Sequence, residues 1–264
     1  MAEQFTFRNT KMAYAKMGEG QPLLILHGWG SNSGVMAALG QYFSRRFTCY
    51  LPDLPGHGMS PEPPEAWSVD DYADLVQAFV DEIRGGEAVA VLAHSFGGRI
   101  MLKLMAREDA PRYFNRVIIT GGAGMKPHRS WKFYFRKYLA KLLKSPAYLL
   151  PGKLRDSFLH ALRQTSIWKM LGSSEYAQLS GVMRETFVKT VTEYLEPTLP
   201  KIPIDIEVLL VWGENDDATP LYQAQRMEQG IPQAELVTLK DAGHYAFLDQ
   251  PSQFRRVVDS FLKK

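Results

Sequence analysis

Cysteine is almost missing from this chain. Cys49 is the single one among 264 residues, so no intrachain disulfide can form, and one thiol in a full-size domain fits a reducing cytosol. Long apolar runs are missing too. PLLIL and VLLVW fall far short of the ~20 residues that cross a bilayer as a helix, which argues against stable membrane insertion. The N-terminal MAEQFTFRNTK carries neither an apolar core nor a small-residue cleavage site, so no secretory signal is read there. Charge of one sign is scarce. The 31 Lys and Arg against 28 Asp and Glu leave a formal +3, too weak to argue for nucleic acid. No H-E-x-x-H, Cys pair or His-x-His cluster suggests a metal site. The stretch HGWGSNSG is rich in glycine but lacks the dinucleotide fingerprint and the phosphate-loop lysine, so no cofactor is implied. These absences point to a cytoplasmic protein without cofactor or metal, and they leave its oligomeric state open.

What is present is ordinary globular material, 45% hydrophobic and 22% charged. It is enough for one large core, or one core with an inserted subdomain. Eight strand-like runs follow in order: QFTFRN, KMAYAKM, PLLILHG, FTCYLPD, AVAVLAHS, RVIITGG, EVLLVWG and AELVTLKD. The first two alternate like half-exposed antiparallel strands, and most later ones are short apolar runs, as in strands covered on both faces. A helix begins after Ser68, with Ser68 and Asp71 spaced as a capping box, Trp67 placed to staple onto Tyr72, and Val69, Tyr72, Val76, Phe79 and Ile83 on one face. Pro251 opens a last helix with Phe254, Val257, Val258 and Phe261 as its inner stripe. Alternating strands and helices predict a doubly wound, mostly parallel α/β sheet. From 125 to 200 the alternation stops and only helical patterns appear. That block is expected to be a helical cap inserted between the sixth and seventh strands, with 1–124 and 201–264 as the core.

In open α/β sheets, ligands bind beyond the carboxyl ends of the strands. Those ends read His27-Gly28-Trp29-Gly30, then DLPGHGMS from Asp53, His94-Ser95-Phe96-Gly97-Gly98, GENDDATP from Gly213, and Gly243-His244-Tyr245. A serine, an acid and a histidine thus occur in that order, each at its own strand end. A serine hydroxyl is nearly inert at neutral pH and needs a base within hydrogen-bond reach.

With these segments the chain resembles the α/β-hydrolase fold superfamily over essentially its whole length, which implies a serine hydrolase with a helical cap. The family's nucleophile elbow reads G-x-S-x-G. Here it reads Ala93-His94-Ser95-Phe96-Gly97, with alanine the mildest departure at the first position. The resemblance implies Ser95 as nucleophile, His244 as base and Asp216 as the orienting acid. Asp216 matches G-x-x-D-x-x-x-P from Gly213 to Pro220, and Asp217 is left as a solvated neighbour. Some relatives carry the acid after the sixth strand, where this chain reads ITGGAG and has no carboxylate. The same resemblance assigns the oxyanion-hole N–H groups to Trp29 and Phe96. It makes His27 and His57 loop-ordering residues, places His94 beside the nucleophile but pointing away, and leaves His128 and His160 exposed or packing in the cap.

A serine at the elbow argues against relatives that use aspartate there. The expected activity is hydrolysis of carboxylic esters, thioesters or lactones through an acyl-enzyme, with a small-molecule ester or acyl compound as substrate. A carbon–carbon hydrolase of the meta-cleavage type and a non-catalytic ligand-binding member of the fold are the alternatives. In the cap, Trp131, Phe133, Tyr134, Phe135 and Tyr138 interleave with Lys132, Arg136, Lys137 and Lys141. Helical spacing would turn Tyr134, Tyr138 and Leu142 toward the sheet as an apolar wall, unless these aromatics serve only as packing.

Overall fold

The structure, a computed structural model, describes residues 3–128, 131, 138–139, 142–143, 145–155, 157–158 and 179–263. It divides into two compact units, Met1–Lys126 with Glu185–Lys264, and Pro127–Arg184.

The first unit is built on β1 (Glu3–Phe7), β2 (Thr10–Met17), β3 (Gln21–Leu26), β4 (Phe47–Pro52), β5 (Val89–His94), β6 (Phe114–Thr120), β7 (Glu207–Gly213) and β8 (Ala234–Leu239). All eight runs read from the sequence are strands of one sheet, in the order β1-β2-β4-β3-β5-β6-β7-β8. β2 is antiparallel to both β1 and β4, and every other pairing is parallel.

Alternate side chains of each central strand feed two cores. Leu24, Leu26, Val91, Ala93, Leu210 and Trp212 enter one core with residues of α2 (Val69–Ile83), α3 (Phe96–Met105) and α5 (Leu221–Gly230). Leu23, Ile25, Ala90, Leu92, Leu209 and Val211 enter the other. There they meet α1 (Ser33–Phe43), the short α6 (Ala246–Asp249) and α7 (Pro251–Lys263). Both faces of the sheet are therefore covered, which is why these strands read as unbroken apolar runs. In α7, Phe254, Val258 and Phe261 are buried and Val257 is partly so.

The helix after Ser68 starts as its spacing demands. The Ser68 N–H donates to Asp71 Oδ2 at 2.8 Å, the Asp71 N–H donates back to Ser68 Oγ at 3.4 Å, and Trp67 packs edge-on against Tyr72 at 5.0 Å.

The helix α4 (Gly181–Thr192) runs across the boundary between the units. From Glu185 onward the chain packs with the sheet. Thr186 Oγ1 accepts the Trp67 N–H at 3.1 Å, buried Arg99 donates to the carbonyls of Thr190 and Glu193, and the Leu195 N–H donates to Gly124 O. The second unit is thus shorter than the block of helical patterning, 127–184 against 125–200.

Within that unit Trp131, Tyr138, Leu139, Leu142 and Leu143 are helical, and Ser145–Leu149 forms a 3-10 turn. Tyr138 and Leu142, placed on a sheet-facing wall by helical spacing, are instead exposed. Spacing tells which residues share a face, not which way the face turns. Phe133, Tyr134, Phe135 and His160 lie outside the described residues. Among the described residues no helix is long and apolar enough to cross a membrane.

The capping box gives a stability prediction. Ser68→Ala removes a side-chain acceptor from the first turn of α2 and should cost about 1 kcal/mol. Asp71→Ala should cost a similar amount, and the double variant less than the sum, because the two side chains bond to each other at 2.6 Å. Urea midpoints of the three variants check this, and additive losses would mean the two caps act independently.

Candidate active site

Ser95 sits between β5 and α3 with φ 50° and ψ −105°. This is a positive-φ backbone that a side chain adopts only where surroundings force it, at a cost of about 1–3 kcal/mol. The surrounding hydrogen bonds show what forces it. The Ser95 N–H donates to Thr120 O at 3.0 Å, its carbonyl accepts from Arg99 N and Ala123 N, and the Gly97 N–H donates to His27 O at 3.1 Å. The turn leaves no room for side chains around it. A Cβ on Gly97 would lie 2.7 Å from Leu26 Cβ, and one on Gly28 would lie 3.1 Å from Ser95 Cβ. Ala93, in the position where the family has glycine, is fully buried, so the elbow accepts a methyl group there.

The HGWG loop lies across this turn. His27 is buried, its Nδ1–H donates to Gly28 O at 2.7 Å and its Nε2 accepts the Leu54 N–H at 2.9 Å. Burial pushes its pKa down to about 4, so it orders the loop as a neutral ring. His57 donates from Nδ1 to Pro55 O at 3.1 Å, and burial lowers its pKa as well. The Trp29 ring packs on His57, Phe96 and Phe187 at 4.9, 5.1 and 5.3 Å. Phe96 is the first residue of α3, so its N–H has no partner within the helix.

The acid and the histidine come from adjacent strand ends. β7 and β8 pair through Gly213 and Leu239, and beyond them Asn215 N donates to Ala242 O at 2.9 Å. Gly213 is tied to glycine there, since a Cβ would lie 2.2 Å from Gly243 O. His244 Nδ1 stands 2.9 Å from Asp216 Oδ2 and 3.1 Å from Oδ1. Asp216 is buried at 3% exposure, whereas its neighbour Asp217 is exposed.

A buried carboxylate needs hydrogen bonds. Besides His244, Asp216 accepts from Ala218 N at 2.9 Å, from Thr219 N at 2.8 Å and from Thr219 Oγ1 at 2.8 Å. Burial by itself would raise its pKa, but the bonds from His244 and Thr219 outweigh that and hold it below the ordinary carboxylate range. The segment after β6 passes directly beside the histidine. A Cβ on Gly121, at φ +54°, would lie 3.0 Å from His244 Nδ1, so the absence of a side chain in ITGGAG fits the closeness of the imidazole.

Two residues of this site have contacts that the sequence reading did not assign. Thr219 bonds to Asp216 twice, and its carbonyl accepts the Trp212 indole N–H at 2.6 Å. An Asp-x-x-Thr step that closes a turn is the local clue. His94 donates from Nδ1 to Thr120 O at 3.1 Å and packs its ring against His244 at 4.7 Å, Tyr245 at 4.8 Å and Phe247 at 5.2 Å. It forms one wall for His244. Burial first, and the nearby His244 second, push its pKa down to about 3. His128 is exposed.

A family model described as the alpha/beta hydrolase fold matches residues 21–251, and the chain belongs to that family. Over 259 residues it is 26% identical to the pimeloyl-(acyl-carrier protein) methyl ester esterase of Nitrosomonas europaea, an alignment covering 92% of this chain and 96% of that one. An esterase from Exiguobacterium antarcticum superposes with a TM-score of 0.71 at 21% identity, over 97% of this chain and 96% of that one. A meta-cleavage product hydrolase from Pseudomonas fluorescens does so with a TM-score of 0.69 at 18% identity, over 99% and 97%. At such identities the two structures speak to the fold alone.

The neutral buried histidines predict how stability depends on pH. In the unfolded chain His27 and His94 titrate near 6.5, and in the folded protein only near 4 and 3. Between those values the unfolded state binds more protons, so stability falls as pH falls, by up to ~1.4 kcal/mol per pH unit for each. The Tm should be highest above pH 6.5, drop steadily toward pH 4.5, and drop less steeply in His94→Gln. Equal slopes for the two proteins would show that His94 is protonated in the fold.

Proposed function

We propose that the protein hydrolyses carboxylic esters, with Ser95 as nucleophile, His244 as base and Asp216 as the acid that orients it. The observation that carries the proposal is the buried, fully hydrogen-bonded Asp216 against His244 Nδ1. It lies in a fold whose elbow holds Ser95 in a strained backbone. The esterase name of the Nitrosomonas europaea relative supports the same reaction class.

Asp216 accepts the His244 Nδ1–H and so leaves Nε2 as the basic nitrogen. Ser95 Oγ attacks the acyl carbon, and its proton passes to His244 Nε2. The carbonyl oxygen becomes an oxyanion, which the N–H groups of Trp29 and Phe96 receive, each worth about 3 kcal/mol in the transition state. The intermediate collapses to the Ser95 ester while the alcohol leaves with the proton from His244. Water then repeats the sequence with His244 as base, releasing the carboxylic acid and restoring the hydroxyl. Asp216 stabilises the imidazolium without taking its proton.

The helical unit 127–184 is assigned as the selectivity insertion, a role supported by its place in the chain between β6 and β7. We place the enzyme in the cytoplasm, on its single buried cysteine.

Two sets of variants test the roles. Ser95→Ala should lower kcat on p-nitrophenyl butyrate by about 10⁴-fold or more and abolish labelling by a fluorophosphonate, with Tm unchanged. Residual activity within tenfold of the parent would remove Ser95 from the chemistry. Asp216→Asn should lower kcat by roughly 10⁴-fold by losing the charge that stabilises the imidazolium and the correct tautomer, and Asp217→Asn by less than about twofold. The reverse ranking would move the acid by one residue. Turnover of a vinylogous 1,5-diketone far above that of every ester tried would replace the ester reading with carbon–carbon hydrolysis.

A further inference from the structure

The charge of this chain is unevenly distributed. Between Lys126 and Arg155 the sequence has nine Lys and Arg and no Asp or Glu, so all 28 acidic residues lie outside these 30 positions. The same span exposes large apolar side chains. Trp131 is 73% exposed, Tyr138 64%, Leu142 67% and Leu154 61%. Trp131, Tyr138 and Leu142 each lie in helical backbone. A face turned only to water would be polar. Here exposed apolar groups, an indole and a phenol among them, sit in a segment that has no acidic residue of its own and that includes exposed Lys126 and Lys153.

We infer that this segment docks the protein on an anionic phospholipid surface. Its apolar side chains enter the headgroup boundary and its cations meet the lipid phosphates. Trp and Tyr favour that boundary, where one end of the ring is apolar and the other wet, and Lys and Arg gain from the negative surface potential. A second copy of the chain fits this surface poorly, because it would set nine cations against nine. An acidic protein would answer the charge as well, and its capture without vesicle binding is the competing outcome of the test. The docking is peripheral. It needs no spanning helix and does not depend on the catalytic roles assigned above.

The test is co-sedimentation of the full chain with vesicles of phosphatidylcholine alone and of phosphatidylcholine with about one-third phosphatidylglycerol. Partition should be at least tenfold higher on the anionic vesicles, weaken with added salt, and be retained in Ser95→Ala, which separates this result from the ester reading. Leu142→Ser and Trp131→Ser should each lower partition several-fold. Leu142 is exposed enough that its variant should fold even where the other does not, and the Tm of each variant checks this. Absence of sedimentation with anionic vesicles would overturn the inference. So would binding that salt abolishes and that neither substitution alters. Capture by an acidic carrier protein with no vesicle binding would assign the face to that partner instead.

Discussion

A single non-glycine residue held at positive φ organises the centre of this protein. Ser95 cannot relax, because its N–H is committed to Thr120 O and its carbonyl to Arg99 and Ala123. Holding a side chain out from so sharp a turn requires the surrounding backbone to come close. That requirement accounts for the small residues nearby. Gly97 passes Leu26, Gly98 passes Ile119, and Gly28 passes His94 and Ser95 itself. The parallel sheet makes the arrangement rigid, since β5 is paired on both sides by β3 and β6. The strain is local, and the bonds that sustain it run to the end of β6, to the first turn of α3 and to the loop after β6.

The electrostatics of the site follow from unequal burial. Four histidines gather around the strand ends, and three of them are buried and held neutral. Each uses its Nδ1 on a backbone carbonyl, so they serve as shaped packing with a hydrogen bond attached. The fourth, His244, keeps 20% of its side chain exposed and faces a carboxylate instead of a carbonyl. His94 packs 4.7 Å from that ring, and burial first and His244 second keep it neutral. Asp216 shows the converse. Burial works against its charge, and the bonds from His244 first and Thr219 second outweigh it.

Much of this was legible in the chain because the determinants are local. Strands buried on both faces are recognisable as apolar runs, and the capping box and staple around Ser68 depend on residues within five positions of each other. Asp216 could be separated from Asp217 through Gly213 and Pro220, and the structure gives the physical counterpart: one carboxylate is enclosed by its own turn and the other is in water. The contact between His94 and His244 was not legible, since it joins residues 150 positions apart through the crossing of β5 and the β8 loop. The direction of the Tyr138 and Leu142 face was not legible either. Periodicity is unchanged when a helix rotates by half a turn, so both orientations share one pattern. The helical block and the second unit end at different positions for a related reason. Helical patterning continues through Thr192, but Arg99 and Trp67 bind that part of the chain to the sheet.

The two units therefore answer different constraints. In the first, the backbone around Ser95 and the carboxylate of Asp216 are tied to named partners at the strand ends. In the second, the sequence from Pro127 to Arg155 places eight Lys and Arg and no Asp or Glu around exposed aromatic and aliphatic side chains. Neither feature contributes to a folded core. Like charges so close in sequence repel, and exposed Trp and Leu gain nothing from water. A segment that bears both costs at once has a composition that burial and folding do not explain, and an amphipathic, negatively charged surface relieves both together.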